Sequence, residues 1–576
     1  WFGNIDAGIG TEELYSGRTM INRFDDTFQS NVLGSLNNTG NNGNATNGQV
    51  GGRLMFDTKS LEFGGNFRYN YNKSDSRSYN SSQNFISTSA SYSNSRNTNT
   101  NKNKNFNSDF KIEWRIDSLT TLLFQPRISF GNSNSSSSNS SATFNDDPYQ
   151  NGITDPLAQL DDISNHIKIN ENASRNWSEG DNYNLTGSLM LNRQLGGGPW
   201  FGSGATNGRS GRNISLRMNG TISDNKNKNF NWSNVIYRQR NDSTDLTYRH
   251  RNNPSNNKNY SIGVSYSEPV LRNLFAQLNY SYNYSKRHSD GQTYDFAKVD
   301  SIGRELWENY GQYGMLAPNY FEFLSDSLSR YTDNINKTHN IDVSLRYITD
   351  LLNISAGFRI EQQNQKMVYQ YQGLDTIASR DISHISPTLN ARLRFTRLHT
   401  MNITYRGNTR QPEMTDLFNL TDNSNPLNIR EGNPNLKPSF THNIGLSYNN
   451  YFELTRQSLS GNITYNTTQN SIANRTEYNT ETGGQRTRPE NINGDWSISG
   501  NIGFNTPLGW DKLTLNTNTN IGFNNRASYI YQNRTPLKNN VKQTNLSERL
   551  NITLRLNNFD IRATGSINWA KTRSEL

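Results

Sequence analysis

From Leu513 to Asn524 the chain alternates with a period of two. Leu513, Leu515, Ile521 and Phe523 take one parity; Thr514, Asn516, Asn518, Asn520 and Asn524 take the other. Successive side chains of a strand point to opposite sides, so this is a strand with one apolar and one polar face. Leu61–Asn72 repeats the pattern, with Leu61, Phe63, Phe67, Tyr69 and Tyr71 against Glu62, Asn66, Arg68 and Asn70, and Met401–Arg406 and Asn443–Tyr448 do the same. A barrel of such strands needs apolar residues only at alternate positions, so it can be polar on average and still sit in lipid. That resolves a conflict in the composition. Only 31% of the 576 residues are hydrophobic and the mean hydropathy is −0.89, values typical of disorder. Yet 11% are aromatic, with 29 Tyr and 26 Phe, and aromatics gird both interfaces of transmembrane barrels. No run approaches the roughly 18 apolar residues of a membrane-spanning helix.

Short turns and long polar segments follow one another along the chain. Short turns are expected at Lys59–Ser60, Asp117–Ser118, Thr349–Asp350, Arg397–Leu398, Asn450–Tyr451, Pro507–Leu508 and Asn557–Asn558. Asn37–Gly48 reads as a polar loop, and Ser74–Asn105 as a long outer loop or as strands extending above the membrane. Long loops are expected at Asn132–Asp181, Lys286–Lys337 and Arg410–Pro438; in the first, DPLAQLDDISNHI predicts one short helix capped by Asp155. Transmembrane barrels have short periplasmic turns and long extracellular loops, which places these three loops outside the cell. The expected fold is all-β, a large antiparallel transmembrane β-barrel occupying residues 1–576 as one domain. Counting upward from Trp1 gives roughly 21 strands, and bacterial barrels usually have an even number. The natural inference is one closing strand beyond Leu576; with no methionine or signal sequence at Trp1, the chain also reads as a fragment missing its upstream part.

The loop RQPEMTDLFNLTDNSNPLNIREGNPNLKP joins two of these strands and carries a family signature. Arg410, Pro412, Asp416, Leu417, Gly432, Asn433, Pro434, Leu436 and Pro438 form a pattern, R-x-P…D-L…N-P-L…G-N-P-N-L-K-P, that resembles a stretch late in the barrel of TonB-dependent outer-membrane receptors, especially the Asn-rich Bacteroidetes type. Trp1–Thr11 with the following YSGR and NRF resembles the first hairpin of the same family. The resemblance implies a 22-stranded barrel around an N-terminal plug, energised import through the TonB system and localisation in the bacterial outer membrane.

Charged residues recur on the polar parity, among them Arg359, Arg392, Arg394, Arg406 and Arg555. A lipid-facing Arg near the midplane costs about 2–4 kcal/mol, so these side chains belong to the lumen, as ordinary solvated lining or as a wall that touches a plug and guides solute. In the Lys286–Lys337 loop, Trp307, Tyr310, Tyr313, Tyr320 and Phe321 stand among acids, a composition suited to gripping a glycan, a peptide or a partner protein, or to packing the loop's own small core. Asn145–Pro148 is acidic but lacks EF-hand spacing and reads as a turn. With no cysteine, no Walker loop, no HExxH and no GxSxG, no metal, cofactor or catalytic constellation is expected, and the chain is not read as an enzyme. The net charge of +9 is spread along the chain and points to no nucleic-acid partner. The expected partners are outer-membrane lipid, the TonB system by resemblance, and other outer-membrane proteins or surface lipoproteins. The function read from these features is an outer-membrane receptor and transporter barrel; the rivals are a scaffold barrel in an outer-membrane complex and a passive pore.

Overall fold

The computed structural model describes residues 1–575 apart from 41–43, 87–88, 151, 196–211, 298–318, 424, 426, 480–481, 510–511, 533–534 and 557–558. They form one sheet of 25 strands. The first eight are β1 (Phe2–Ile9), β2 (Tyr15–Phe24), β3 (Phe28–Gly40), β4 (Ala45–Asp57), β5 (Leu61–Ile86), β6 (Ser89–Arg115), β7 (Thr120–Phe144) and β8 (Lys168–Gln194). Next come β9 (Asn213–Tyr237), β10 (Ser243–Leu271), β11 (Leu274–Asp295), β12 (Arg330–Ile348), β13 (Leu352–Tyr371), β14 (Leu374–Arg394) and β15 (His399–Arg410). Two short strands, β16 (Thr421–Asp422) and β17 (Asn428–Glu431), precede β18 (Ser439–Phe452) and β19 (Gln457–Gln469). After them lie the hairpin β20 (Ser471–Tyr478) and β21 (Gln485–Ile492), then β22 (Asp495–Pro507), β23 (Leu513–Gln532), β24 (Thr535–Arg555) and β25 (Asp560–Ser574).

Leaving out β16, β17, β20 and β21, the other 21 strands pair antiparallel in chain order, each with the next. The wall is therefore an up-and-down meander, and β1 and β25 run in the same direction. Among the described residues β1 pairs only with β2 and β25 only with β24.

Several expected loops are strands. β5 to β11 are 22 to 29 residues long, more than twice the roughly ten that cross a bilayer. The Asn/Ser-rich runs expected as loops at Asn132–Asp181 and Lys286–Lys337 supply these extensions, and β3 and β4 leave only 41–44 between them. Low complexity misled because a two-sided polar strand in water needs no apolar parity, while its main-chain ladder still pairs completely, as β7 with β8 from Thr120 to Phe144. The helix expected near Asp155 is a tight turn ending in one turn of 3₁₀ helix, Leu160–Asp162, whose N-cap position is Gln159 and which no side chain caps; Asp155 Oδ1 holds only the preceding turn, accepting the amides of Leu157 and Ala158 at 3.1 and 3.3 Å. The turn expected at Asn450–Tyr451 lies three residues on, because β18 pairs as far as Phe452 with Gln457. Asn557 and Asn558 lie outside the described residues.

Residues directly opposite across a ladder share a face. On β7, Leu122, Phe124 and Phe130 face outward, and Phe130 stacks with Phe106 of β6 at 6.0 Å and meets Tyr183 of β8 edge-on at 5.6 Å. Tyr260 and Tyr284 continue this belt, 4.7 Å apart on β10 and β11. Above it the outward parity turns polar: on β13, Ile354, Ala356, Phe358 and Ile360 give way to Gln362, Asn364 and Lys366. The apolar band and its aromatic rim mark the bilayer.

Candidate functional site at the mouth of the barrel

Four long loops, after β7, β11, β15 and β19, lie at one end of the meander, the mouth, and they divide into two pairs. The segment between β7 and β8 folds down over the outer wall, where Ile163 joins Phe144 and Ala142 in a buried cluster. The segment between β11 and β12 does likewise. Its Tyr320 and Phe323 pack on Phe230, Tyr248, Tyr294 and Phe296, with Tyr320 4.9 Å from the Tyr294 ring and 5.9 Å from His250. These partners share the outward parity of β9–β11 with Ile222, Ile262 and Leu278. Burial in this cluster pushes the His250 imidazole down to about 4, with Lys228 adding to the effect. Phe321 beside it is 61% exposed; Trp307, Tyr310 and Tyr313 lie outside the described residues.

The other pair folds inward. Between β15 and β18, Met414 and Phe418 pack on Met367, Tyr369 and Tyr371, which lie on the lumen parity of β13 with Arg359. The family-pattern residues hold this loop's shape. A Cβ on Gly432 would stand 1.8 Å from the Phe418 carbonyl oxygen. The Asn433 amide donates to the Asp416 carbonyl at 2.5 Å, and its Nδ2 donates to the Pro489 carbonyl at 2.9 Å. The Pro412 carbonyl accepts from Arg380 at 2.8 Å; Leu417 closes a 3₁₀ turn, Leu436 is buried, Pro434 and Pro438 are exposed, and Arg410 ends β15 opposite Ser439. Burial raises the Asp416 carboxyl, with Glu413 adding to it. The loop then pairs β17 in parallel with β21 of the next one. That second loop, 470–494, crosses the mouth to the top of β8, where Asn170 Nδ2 donates to the Thr482 carbonyl at 2.9 Å.

Under this roof lies a cavity of ≈ 500 Å³ on the lumen side. Asn172 and Asn176 of β8, Asn229 and Asn231 of β9 and Arg249 and Arg251 of β10 form its wall; Arg330, Tyr371 and Asp422 close it. Arg330 lies 4.2 Å above the Tyr371 ring and reaches Asp422 Oδ2 at 2.9 Å, while the Tyr371 hydroxyl donates to the other Asp422 oxygen at 2.9 Å. Burial opposes the Arg330 charge, but Tyr369, Tyr371 and Asp422 outweigh it and hold the guanidinium above its ordinary range. Arg249 faces Asp295 at 3.5 Å. Arg251 has no ion pair or hydrogen bond among the described residues, and burial followed by the nearby Arg330 charge lowers it.

Deeper in the barrel, Arg359, Arg392, Arg394 and Arg406 fall on one parity, since Arg359 faces Ser386 and Arg406 faces Thr388 on β14. Arg392 lines a second concavity with Asn353 and Asn402. Arg555 shares its parity on β24 with Arg549, opposite Asn518 of β23. The structure does not bring these arginines to the cavity at the mouth. The residues that form that cavity were not singled out from sequence; the available signal was the period-two run Tyr248-Arg249-His250-Arg251, which puts two arginines on one face of a strand.

The family model described as "Outer membrane protein beta-barrel family" matches residues 206–575, well over half of the chain. The chain belongs to that family. This outer-membrane barrel matches no curated protein. Among solved structures it is similar to the copper transporter OprC (TM-score 0.46, 10% identity, 97% of this chain and 77% of that one). It is similar also to the siderophore receptor PirA from Acinetobacter baumannii (TM-score 0.44, 12% identity, 96% and 74%). A third is the alcaligin receptor FauA from Bordetella pertussis (TM-score 0.37, 11% identity, 97% and 75%). Among its described residues no group of three or more His, Asp or Glu could hold a metal ion.

Proposed function

We propose that this outer-membrane barrel is a receptor and transporter: its mouth faces the outside of the cell, solute binds in the roofed cavity, and the lumen below conducts it inward. The observation that carries this reading is the roof. The loop between β15 and β18 folds into the mouth and covers a cavity, backed by loop 470–494 through the β17–β21 pairing, whereas a passive pore keeps its mouth open to water. The pattern from Arg410 to Pro438 adds the TonB system as the energy source, acting on a plug upstream of this chain. The polar parity that includes Arg359, Arg392, Arg394, Arg406 and Arg555 lines the lumen and meets that plug. The test is uptake by cells carrying the full-length protein. Uptake should stop when the inner-membrane proton gradient is collapsed, and persistence without the gradient would leave a passive pore.

A second reading has its own observation. Phe321 is exposed on the outer wall beside Tyr320 and Phe323, which pack against the strands, and this suits a partner outer-membrane protein or surface lipoprotein. Phe321→Ala should release such a partner from the purified complex without unfolding the barrel; an unchanged complex would remove this reading.

A further inference from the structure

Among its described residues the cavity at the mouth has one more cation than acids to balance it. Asp422 is held by both Arg330 and Tyr371, and Asp295 stands opposite Arg249. Arg251 is left without an acid of its own among the described residues, and its Nε is buried with no acceptor among them. The Nε of Arg330 is likewise buried and unmatched. A guanidinium cannot shed its proton in a protein, so an unmatched one beside a second arginine calls for an anion.

The same wall, on the strands next to β10, has the complementary need. Asn231 Nδ2 donates to Asn176 Oδ1 at 2.6 Å, but the side-chain oxygens of Asn231 and Asn172 are buried acceptors without a donor among the described residues. Hydroxyl groups are the donors that fit there, because a second cation would be repelled by the arginines. Val235, Leu328, Leu427 and the Tyr371 ring give the cavity an apolar side as well, suited to the carbon skeleton of a sugar. A volume of ≈ 500 Å³ is within the range of small-molecule sites and exceeds what a bare inorganic ion needs.

From this division we infer that the cavity binds a hydroxyl-rich solute bearing one carboxylate, sulfate or phosphate, an acidic mono- or disaccharide, with Arg251 gripping the anionic group and Asn172 and Asn231 accepting from its hydroxyls. This names the solute class of the transporter proposed above and rests on that reading for its biological meaning, though not for the binding itself. Bidentate contact suits Arg251, because the planar fork matches a carboxylate or a phosphate edge.

Binding is measured by calorimetry on the purified, detergent-solubilised protein with glucuronate, glucose 6-phosphate, glucose and inorganic phosphate. Glucuronate or glucose 6-phosphate should bind about tenfold or more tighter than glucose, and tighter than inorganic phosphate. Which of the two acids binds better separates a carboxylate site from a phosphate site. Arg251→Gln should abolish the preference for the acid, and Arg251→Lys should restore only part of it. The wild-type preference decides first and requires no variant to fold. Equal binding of glucose and glucuronate, no binding of either acid, or inorganic phosphate binding as tightly as the sugar acids would overturn the inference. So would an unchanged preference in a folded Arg251→Gln protein. Failure of uptake with binding intact would instead count against the transporter reading.

Discussion

Gly432 and the Phe418 carbonyl are in such close approach that a Cβ at position 432 would stand 1.8 Å from the carbonyl oxygen. The contact folds the loop between β15 and β18 back on itself, with the Gly432 amide donating to the Leu420 carbonyl at 3.0 Å. Backbone cannot yield as a flexible side chain can, so Gly432→Ala should cost the loop about 3 kcal/mol or more of local stability. Limited proteolysis of the inserted barrel should then cut between 411 and 438 far faster than in wild type. An unchanged digestion pattern would show that the close approach is not needed.

His250 makes the outer-wall cluster sensitive to pH. Its folded value of about 4 lies below the ordinary 6.5, so the folded state holds the neutral ring. The stabilisation is complete above pH 6.5 and is lost as pH falls from there to about 4, on the order of 3 kcal/mol in total. Trp177 and Trp232 pack against the same cluster, so their fluorescence should change over this window. His250→Phe should flatten the change, and a transition that survives this substitution would assign it to another group.

Phe358 and Arg359 are neighbours on β13 with opposite fates. Phe358 pairs with Val343 and Pro387 on the outward parity, while Arg359 donates through Nε to Asp342 Oδ1 at 2.6 Å on the other side. Phe358→Arg should cost about 2–4 kcal/mol of barrel stability, the price of a cation facing lipid near the midplane. Arg359→Phe should be much milder. Cysteines placed singly along β13 should react with water-soluble reagents only at odd positions within the band; reaction at even positions would reverse the faces.

The barrel was legible because its chemistry has period two. Wherever lipid contacts one face, as at Leu513–Phe523 or Leu61–Tyr71, the alternation shows and the strand can be read. Above the bilayer water contacts both faces, and Ser133–Ser141 carries no parity signal although it pairs residue by residue with β8. The cavity at the mouth was less legible still. Arg251, Arg330 and Asp422 are 79 and 92 residues apart in sequence steps that only the closure of β10 through β13 and the inward fold of the next loop bring together. The pattern around Gly432-Asn433 was visible, but its physical meaning was not, since the Phe418 carbonyl and Pro489 that it contacts belong to the folded roof.

The central claim is that the two inward loops roof the mouth and govern what enters. This sequence has no cysteine of its own, so within it a pair introduced as Asn170→Cys and Thr482→Cys meets no competing thiol. These residues meet where Asn170 Nδ2 donates to the Thr482 carbonyl at 2.9 Å, tying loop 470–494 to β8. A short bifunctional thiol reagent should join them in intact cells and block uptake, and cleaving the reagent should restore it. If no cross-link forms, or if uptake continues through the cross-linked protein, the loops do not gate the mouth.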